Sequence, residues 1–330
     1  MSATDLPKPE APARTPAPAR EDAVVAAPDA VDALPPMVDE NGVHIIDQMI
    51  LDRAEGLRTL PFWPPMKAVL YPTLGYRRCV EMCEAVYDLP GQGVFQHVSD
   101  FLDLDLDVTG VENIPKEGSF LLTPNHPTGM CDAMAVFRIL MERRPDHMLF
   151  GNRDAYKVGP KLRDYIIPVE WVKGGGRRRV SGSRETLKAS LTAFRRNMGI
   201  VLFPAGRISY RYKGGLKEQP WLNTAISFQR KFDAPIIPVH ITAKNSWLYY
   251  LFWRISPELR DMTVFHELLN KRRQTFRIVI GKPLTPADIP EEDEARATWM
   301  VQHYVERDLK RGVDWADRSP TPDALPVEVR

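Results

Sequence analysis

The chain has 330 residues, 44% hydrophobic and 26% charged, with 44 Lys and Arg against 43 Asp and Glu. A formal charge of +1 excludes a wholly basic nucleic-acid binder and an acidic disordered chain, while the apolar fraction suffices for one sizeable core. The cysteines Cys79, Cys83 and Cys131 make no disulfide framework, and no Cys/His spacing fits a zinc site. No secretory signal is visible, and the longest run of large apolar residues, Trp247–Trp253, is far shorter than the about twenty a spanning helix needs. These features predict a globular protein of a reducing compartment, soluble or bound to a surface.

Residues 1–40 hold eight prolines, ten alanines and no aromatic residue, a composition that predicts a disordered tail. One domain is expected over 43–313, followed by a flexible tail over 314–330 that carries Pro320, Pro322 and Pro326. Pro64–Tyr87 spaces Met66, Val69, Leu70, Leu74, Val80, Cys83 and Tyr87 as amphipathic helices would, suited to a lipid interface or to the domain's own core. Strands are expected at 119–123, 147–150, 165–169, 199–203, 235–242 and 275–280. Helices are expected at 130–144, 183–197 and 222–232. This alternation predicts an α/β fold, a largely parallel sheet flanked by helices. In such sheets ligands collect at the carboxyl ends of strands, so the loops after Thr123 and Phe203 are the places to search.

Two further segments stand out. Between Trp171 and Lys217 twelve basic residues face one acidic residue, Glu185, which predicts a positive surface for phosphates, anionic headgroups or an acidic carrier protein. The bland alternative is a solvated face neutralised by neighbouring carboxylates. Asn245–Arg260 is aromatic and basic, and Trp247, Phe252 and Trp253 are expected to face lipid.

The loop Thr123-Pro-Asn-His-Pro-Thr-Gly-Met-Cys-Asp132 carries the chemistry. Pro127 and Gly129 force a tight turn that can bring His126 to Asp132, and a neutral imidazole held by a carboxylate is a general base. Phe203-Pro-Ala-Gly-Arg-Ile-Ser209 leaves the second strand; Pro204 and Gly206 allow close backbone approach, and Arg207 and Ser209 can bind an anion. Gly174-Gly-Gly-Arg-Arg-Arg179 lacks the ending of a P-loop and reads as a basic loop. Cys131 is either a packing residue or the nucleophile of a thioesterase or covalent acyl enzyme.

In this order, and about 80 residues apart, the two loops resemble the first and third sequence blocks of the glycerolipid (lysophospholipid) acyltransferase superfamily. That pattern is Asn-His, four residues, Asp, then Phe-Pro-Glu-Gly-Thr-Arg-Ser. The resemblance spans roughly 110–284 and includes Ile236-Ile-Pro-Val239. It implies His126 as base and Asp132 as its orienting carboxylate, with Asn125, Gly129, Phe203, Pro204, Gly206, Arg207 and Ser209 around the substrate. Arg177, Arg178, Arg179 or Arg184 would match the basic residue of the second block. There are departures: five residues separate His126 from Asp132, Ala205 replaces Glu, and Ile208 stands where Arg is usual. These variations are similar to the hemolysin-like bacterial branch.

The resemblance implies an O-acyltransferase that needs no metal or cofactor. Acyl-ACP or acyl-CoA would be the co-substrate, and a lysolipid hydroxyl the acceptor. Main-chain N–H groups near Gly129 or Gly206 are expected to hold the oxyanion. A lipid surface on the cytoplasmic face of the inner membrane is the expected partner, and nucleic acid is not. A lyso-aminolipid such as lyso-ornithine lipid is the expected acceptor. Synthesis of phosphatidic acid from 1-acylglycerol-3-phosphate is the alternative, and an inactive membrane-surface protein is a third reading.

Overall fold

The computed structural model describes residues 36–170 and 184–327; Arg177, Arg178 and Arg179 lie outside them. Four helices come first, α1 (Ile45–Arg53), α2 (Trp63–Thr73), α3 (Tyr76–Val86) and α4 (Gly91–Leu102). The amphipathic stretch Pro64–Tyr87 breaks between α2 and α3, where Gly75 takes φ +69°, a region that side chains resist. Leu70, Tyr71, Leu74, Cys79 and Cys83 are buried in the core, and Phe62 and Val69 stay exposed.

The chain then alternates through β1 (Asp105–Thr109), β2 (Phe120–Pro124), α5 (Met130–Arg143), β3 (His147–Asn152), α6 (Ala155–Val158), β4 (Ile166–Val169), α7 (Arg184–Arg195) and β5 (Gly199–Val201). A hairpin of β6 (Tyr210–Tyr212) and β7 (Gly215–Lys217) follows. After it come α8 (Thr224–Phe232), β8 (Ile236–Thr242), α9 (Trp247–Ile255), α10 (Pro257–Met262), α11 (Val264–Leu269), β9 (Thr275–Ile280) and α12 (Glu294–Arg307).

Seven strands form one sheet in the order β1-β9-β8-β2-β5-β3-β4, parallel at every pairing except β8 with β9. The fold is the α/β class read from the sequence. Because alternate strand residues point to opposite faces, Phe120, Leu122, Val201 and Ile237 pack with α5 and the first helices. Leu121, Ile200 and Ile236 pack on the other face with Phe194 of α7, Ile226 of α8 and Val301 of α12. Both faces are covered, which is why these strands are almost continuously apolar. The edge strand β1 escaped the sequence reading because it alternates exposed Asp105 and Asp107 with half-buried Leu106 and Val108.

Packing continues past residue 313, into the stretch expected to be a flexible tail. Trp315 is buried with its ring centroid 5.1 Å from that of Tyr304, and the Ser319 hydroxyl donates to Asp308 at 3.0 Å. Among the described residues no helix is long and apolar enough to cross a membrane.

One feature of the topology positions the site. From β2 the chain crosses through α5 to β3, and from the adjacent β5 it crosses through α8 to β8. The loop leaving β2 leads to α5 on one face of the sheet and the loop leaving the adjacent β5 leads to α8 on the other. This is the switch-point geometry in which open α/β sheets hold ligands.

Candidate active site

The first loop is built around the carboxylate of Asp132. Gly129 sits at φ +90° just before α5, a conformation that favours glycine, and a Cβ there would lie 2.7 Å from Cδ1 of Ile208, which would have to shift. The turn points Thr128 and Gly129 back at Asp132, in the first turn of the helix. The carboxylate accepts from the Thr128 N–H at 2.8 Å, the Thr128 hydroxyl at 2.5 Å and the Gly129 N–H at 2.9 Å. A carboxylate in the first turn also complements the positive end of the helix.

His126 completes this shell. Its Nδ1 lies 3.0 Å from Oδ2 of Asp132, which is fully buried, while the imidazole side chain is 17% exposed. The five intervening residues thus close the dyad without opening it. The Phe203 ring, two residues beyond β5, backs the imidazole at a centroid distance of 4.3 Å. With Nδ1–H turned to a carboxylate, Nε2 keeps its lone pair, the arrangement of a general base.

The second loop grips the main chain of His126. The Ser209 N–H donates to the His126 carbonyl at 2.9 Å, with the Ser209 hydroxyl 3.2 Å from the same oxygen. The His126 N–H donates to Oε1 of Glu218 at 3.1 Å, and Ser209 also hydrogen-bonds that Oε1. Glu218 is buried, and its carboxyl is pushed up to about 8 by desolvation, with the neighbouring Glu306 carboxyl adding to the rise.

Several residues expected at the substrate are instead structural. Both amide groups of Asn125 are spent on β8: Nδ2 donates to the Ile241 carbonyl at 3.0 Å and Oδ1 accepts from the Ile241 N–H at 2.6 Å. Asn125 thus extends the β2–β8 pairing past Pro124, which has no N–H to give. Ser209 is buried and occupied by His126 and Glu218, so it cannot meet an anion. Pro204 is buried too, and its carbonyl accepts from the Leu222 N–H at 2.9 Å. The main-chain donors expected for an oxyanion are likewise engaged, Gly129 by Asp132 and Gly206 by the Phe203 carbonyl at 3.0 Å.

Arg207 and Ile208 are half-exposed, with Ile208 against Gly129 in the dyad loop. Arg184 is exposed at the start of α7, whose Thr186 bonds the Pro168 carbonyl of β4. Its strand is three places from β2, roughly 14 Å at ordinary strand spacing, so Arg184 is not brought to His126. The Cys131 thiol points the other way. It is buried, lies 3.5 Å from the Leu268 carbonyl of α11, and burial pushes its pKa up. A protonated, enclosed thiol is no nucleophile, which removes the covalent reading.

The sequence reading missed Glu218 altogether. It ends the basic run, and only the fold, which brings it across 92 residues to His126, reveals it.

Comparison with known proteins bears on this geometry. The acyltransferase family model matches residues 105–242, which span both loops. A lyso-glycine lipid O-acyltransferase of Phocaeicola vulgatus is 28% identical over 206 residues, covering 61% of this chain and 71% of the relative. Its counterpart from Bacteroides thetaiotaomicron is 26% identical over 220 residues, covering 64% and 77%. Among solved structures, the 1-acyl-sn-glycerophosphate acyltransferase PlsC of Thermotoga maritima superposes with a TM-score of 0.42 at 18% identity, over 69% of this chain and 82% of that one. On the family match and the two relatives, the chain carries an acyltransferase domain over residues 105–242 and is similar to lipid acyltransferases of the glycerolipid acyltransferase superfamily.

Proposed function

We propose that the chain transfers a fatty acyl group from a thioester donor, acyl-ACP or acyl-CoA, to the hydroxyl of a lysolipid with an amino-acid headgroup. The observation that carries the mechanism is the 3.0 Å contact between His126 Nδ1 and Asp132. Nε2 of His126 takes the proton of the acceptor hydroxyl as its oxygen attacks the thioester carbonyl. The carbon–sulfur bond breaks, and the thiolate takes the proton back from the imidazolium. Asp132 steadies that imidazolium, and the buried shell around it keeps the ring in one tautomer.

The choice of acceptor rests on the relatives and on one local difference. Both relatives are named for a lyso-glycine lipid. Where the family motif carries Arg, this chain carries Ile208, and its side chain is against Gly129. An alkyl group cannot bind a phosphate, whereas the half-exposed Arg207 can meet the carboxylate of an amino-acid headgroup.

The setting we propose is a membrane surface, the cytoplasmic face of the inner membrane. Trp247, Leu251 and Ile255 form a stripe along α9 that is 74%, 40% and 62% exposed, with Arg254 exposed beside it. Phe252 and Trp253, expected from the sequence to face lipid, are half-buried, and Trp253 stacks on Tyr210 of the hairpin at 5.9 Å. An apolar stripe with adjacent basic groups suits an anionic interface.

The test is to incubate purified protein with labelled acyl-ACP or acyl-CoA and a panel of lysolipids, and to identify the product. An O-acylated aminolipid that depends on His126 is the expected result. Free fatty acid alone would replace this reading with thioester hydrolysis.

A further inference from the structure

We infer that Glu218 is the positioning residue of the catalytic histidine, locking the His126 peptide to the second loop. The inference rests on the reading of His126 as base and adds a part that neither loop motif contains.

The geometry is a closed ring. The His126 N–H donates to Oε1 of Glu218, Glu218 is bonded to the Ser209 hydroxyl, and that hydroxyl lies 3.2 Å from the His126 carbonyl, which also accepts the Ser209 N–H. Both polar groups of one peptide residue are thus held from the loop after β5. Among the described residues the imidazole has its hydrogen bond at Nδ1 and none at Nε2. Its aim therefore depends on Asp132 at Nδ1, on the Phe203 ring, and on the fixed main chain. Displacing a reacting group by about 1 Å costs roughly 10²-fold in rate.

The Ser209 hydroxyl and the His126 N–H both donate to Oε1 of Glu218, and the His126 carbonyl is satisfied by the Ser209 N–H, so the ring needs Glu218 only as an acceptor. Ionisation would place an unpaired buried charge beneath the His126 peptide. The surroundings favour the neutral carboxyl. Glu306 of α12 is a second, half-buried carboxyl, itself pushed up by desolvation, that accepts the Glu218 main-chain N–H. Lys217 and Lys310 lie on the Glu306 side, Tyr210 neighbours Glu306, and the indole N–H of Trp221 is 3.4 Å from Oε2 of Glu218. No cation is paired with Glu218 in a hydrogen bond or salt bridge among the described residues.

The experiment compares Glu218→Ala and Glu218→Gln in the full chain, with His126→Ala as the reference for loss of the base. Glu218→Ala is expected to lower kcat by roughly 10²-fold with little change in KM, since no substrate contact is removed. Glu218→Gln, uncharged and of the same shape, is expected to restore most of the turnover. It should also lack the fall in kcat expected of the wild type as pH rises through about 8. Full activity in Glu218→Ala, or an alkaline limb unchanged in Glu218→Gln, would overturn the inference while His126→Ala remained inactive. If Glu218→Ala does not fold, the pH profile of Glu218→Gln decides. Turnover surviving in His126→Ala would instead refute the reading of the base.

Discussion

His126 and Asp132 meet at 3.0 Å although five residues separate them, because Asp132 opens α5 and draws the loop onto its own carboxylate. The carboxylate therefore does two things at once. It accepts the imidazole, and it holds the Thr128 and Gly129 N–H groups at the head of the helix.

The two roles separate by mutation. His126→Ala should abolish transfer with an unchanged melting temperature. Asp132→Asn should reduce kcat by roughly 10²–10⁴-fold. It should also cost about 1 kcal/mol of stability, because an amide replaces a carboxylate that accepts from the turn. Cys131→Ala should leave turnover intact, since the thiol faces Leu268 away from the dyad. Steady-state rates and thermal melts of the three proteins check this. Inactivation by Cys131→Ala alone would contradict it.

Gly129→Ala should be among the costlier single-methyl changes in the chain. At φ +90° the new side chain is strained, and its Cβ would stand 2.7 Å from Ile208. The combined effect should exceed about 1 kcal/mol. Ile208→Ala in the same chain should recover the steric part and leave the conformational part. Urea unfolding of the single and double variants measures both, and a double variant no better than Gly129→Ala would remove the contact from the account.

The strands β2, β5, β8 and β9 were readable because each is a short apolar run bounded by turn residues. The dyad was readable because His126 and Asp132 share one loop. A motif does not show which polar groups are already spent. Asn125 and Ser209 look like ligand contacts in a motif, yet each is consumed by a main-chain partner far along the chain, Ile241 and His126. Glu218 was illegible for the same reason, since nothing local marks a carboxyl that meets its partner only across the sheet's edge.

Glu218 also links stability to pH. Its carboxyl is pushed from an ordinary 4.5 up to about 8 in the fold, so folding takes up a proton between those values. Its contribution is fully present below about pH 4.5 and is lost as pH rises toward 8. Glu218→Gln should lack that dependence. Urea unfolding at pH 5, 6, 7 and 8 should show the variant gaining on the wild type at each step, and parallel curves would refute the burial of a neutral acid.

At the membrane, Trp247→Ser, Leu251→Ser and Ile255→Ser together should weaken binding to vesicles of anionic lipid without lowering the melting temperature, because all three side chains are exposed. Binding of the wild type should fall as salt rises, since headgroup attraction is screened. Sedimentation reads both effects. Equal sedimentation of wild type and triple variant would move the contact elsewhere.

The most direct measurement compares kcat/KM for a lyso-aminolipid with an amino-acid headgroup against that for lysophosphatidic acid, using one thioester donor and both the wild type and His126→Ala. The account predicts faster acylation of the aminolipid by the wild type, and no acylation of either acceptor by His126→Ala. A preference for lysophosphatidic acid that is lost in Arg207→Ala would contradict it, and would make the chain an enzyme of phosphatidic acid synthesis.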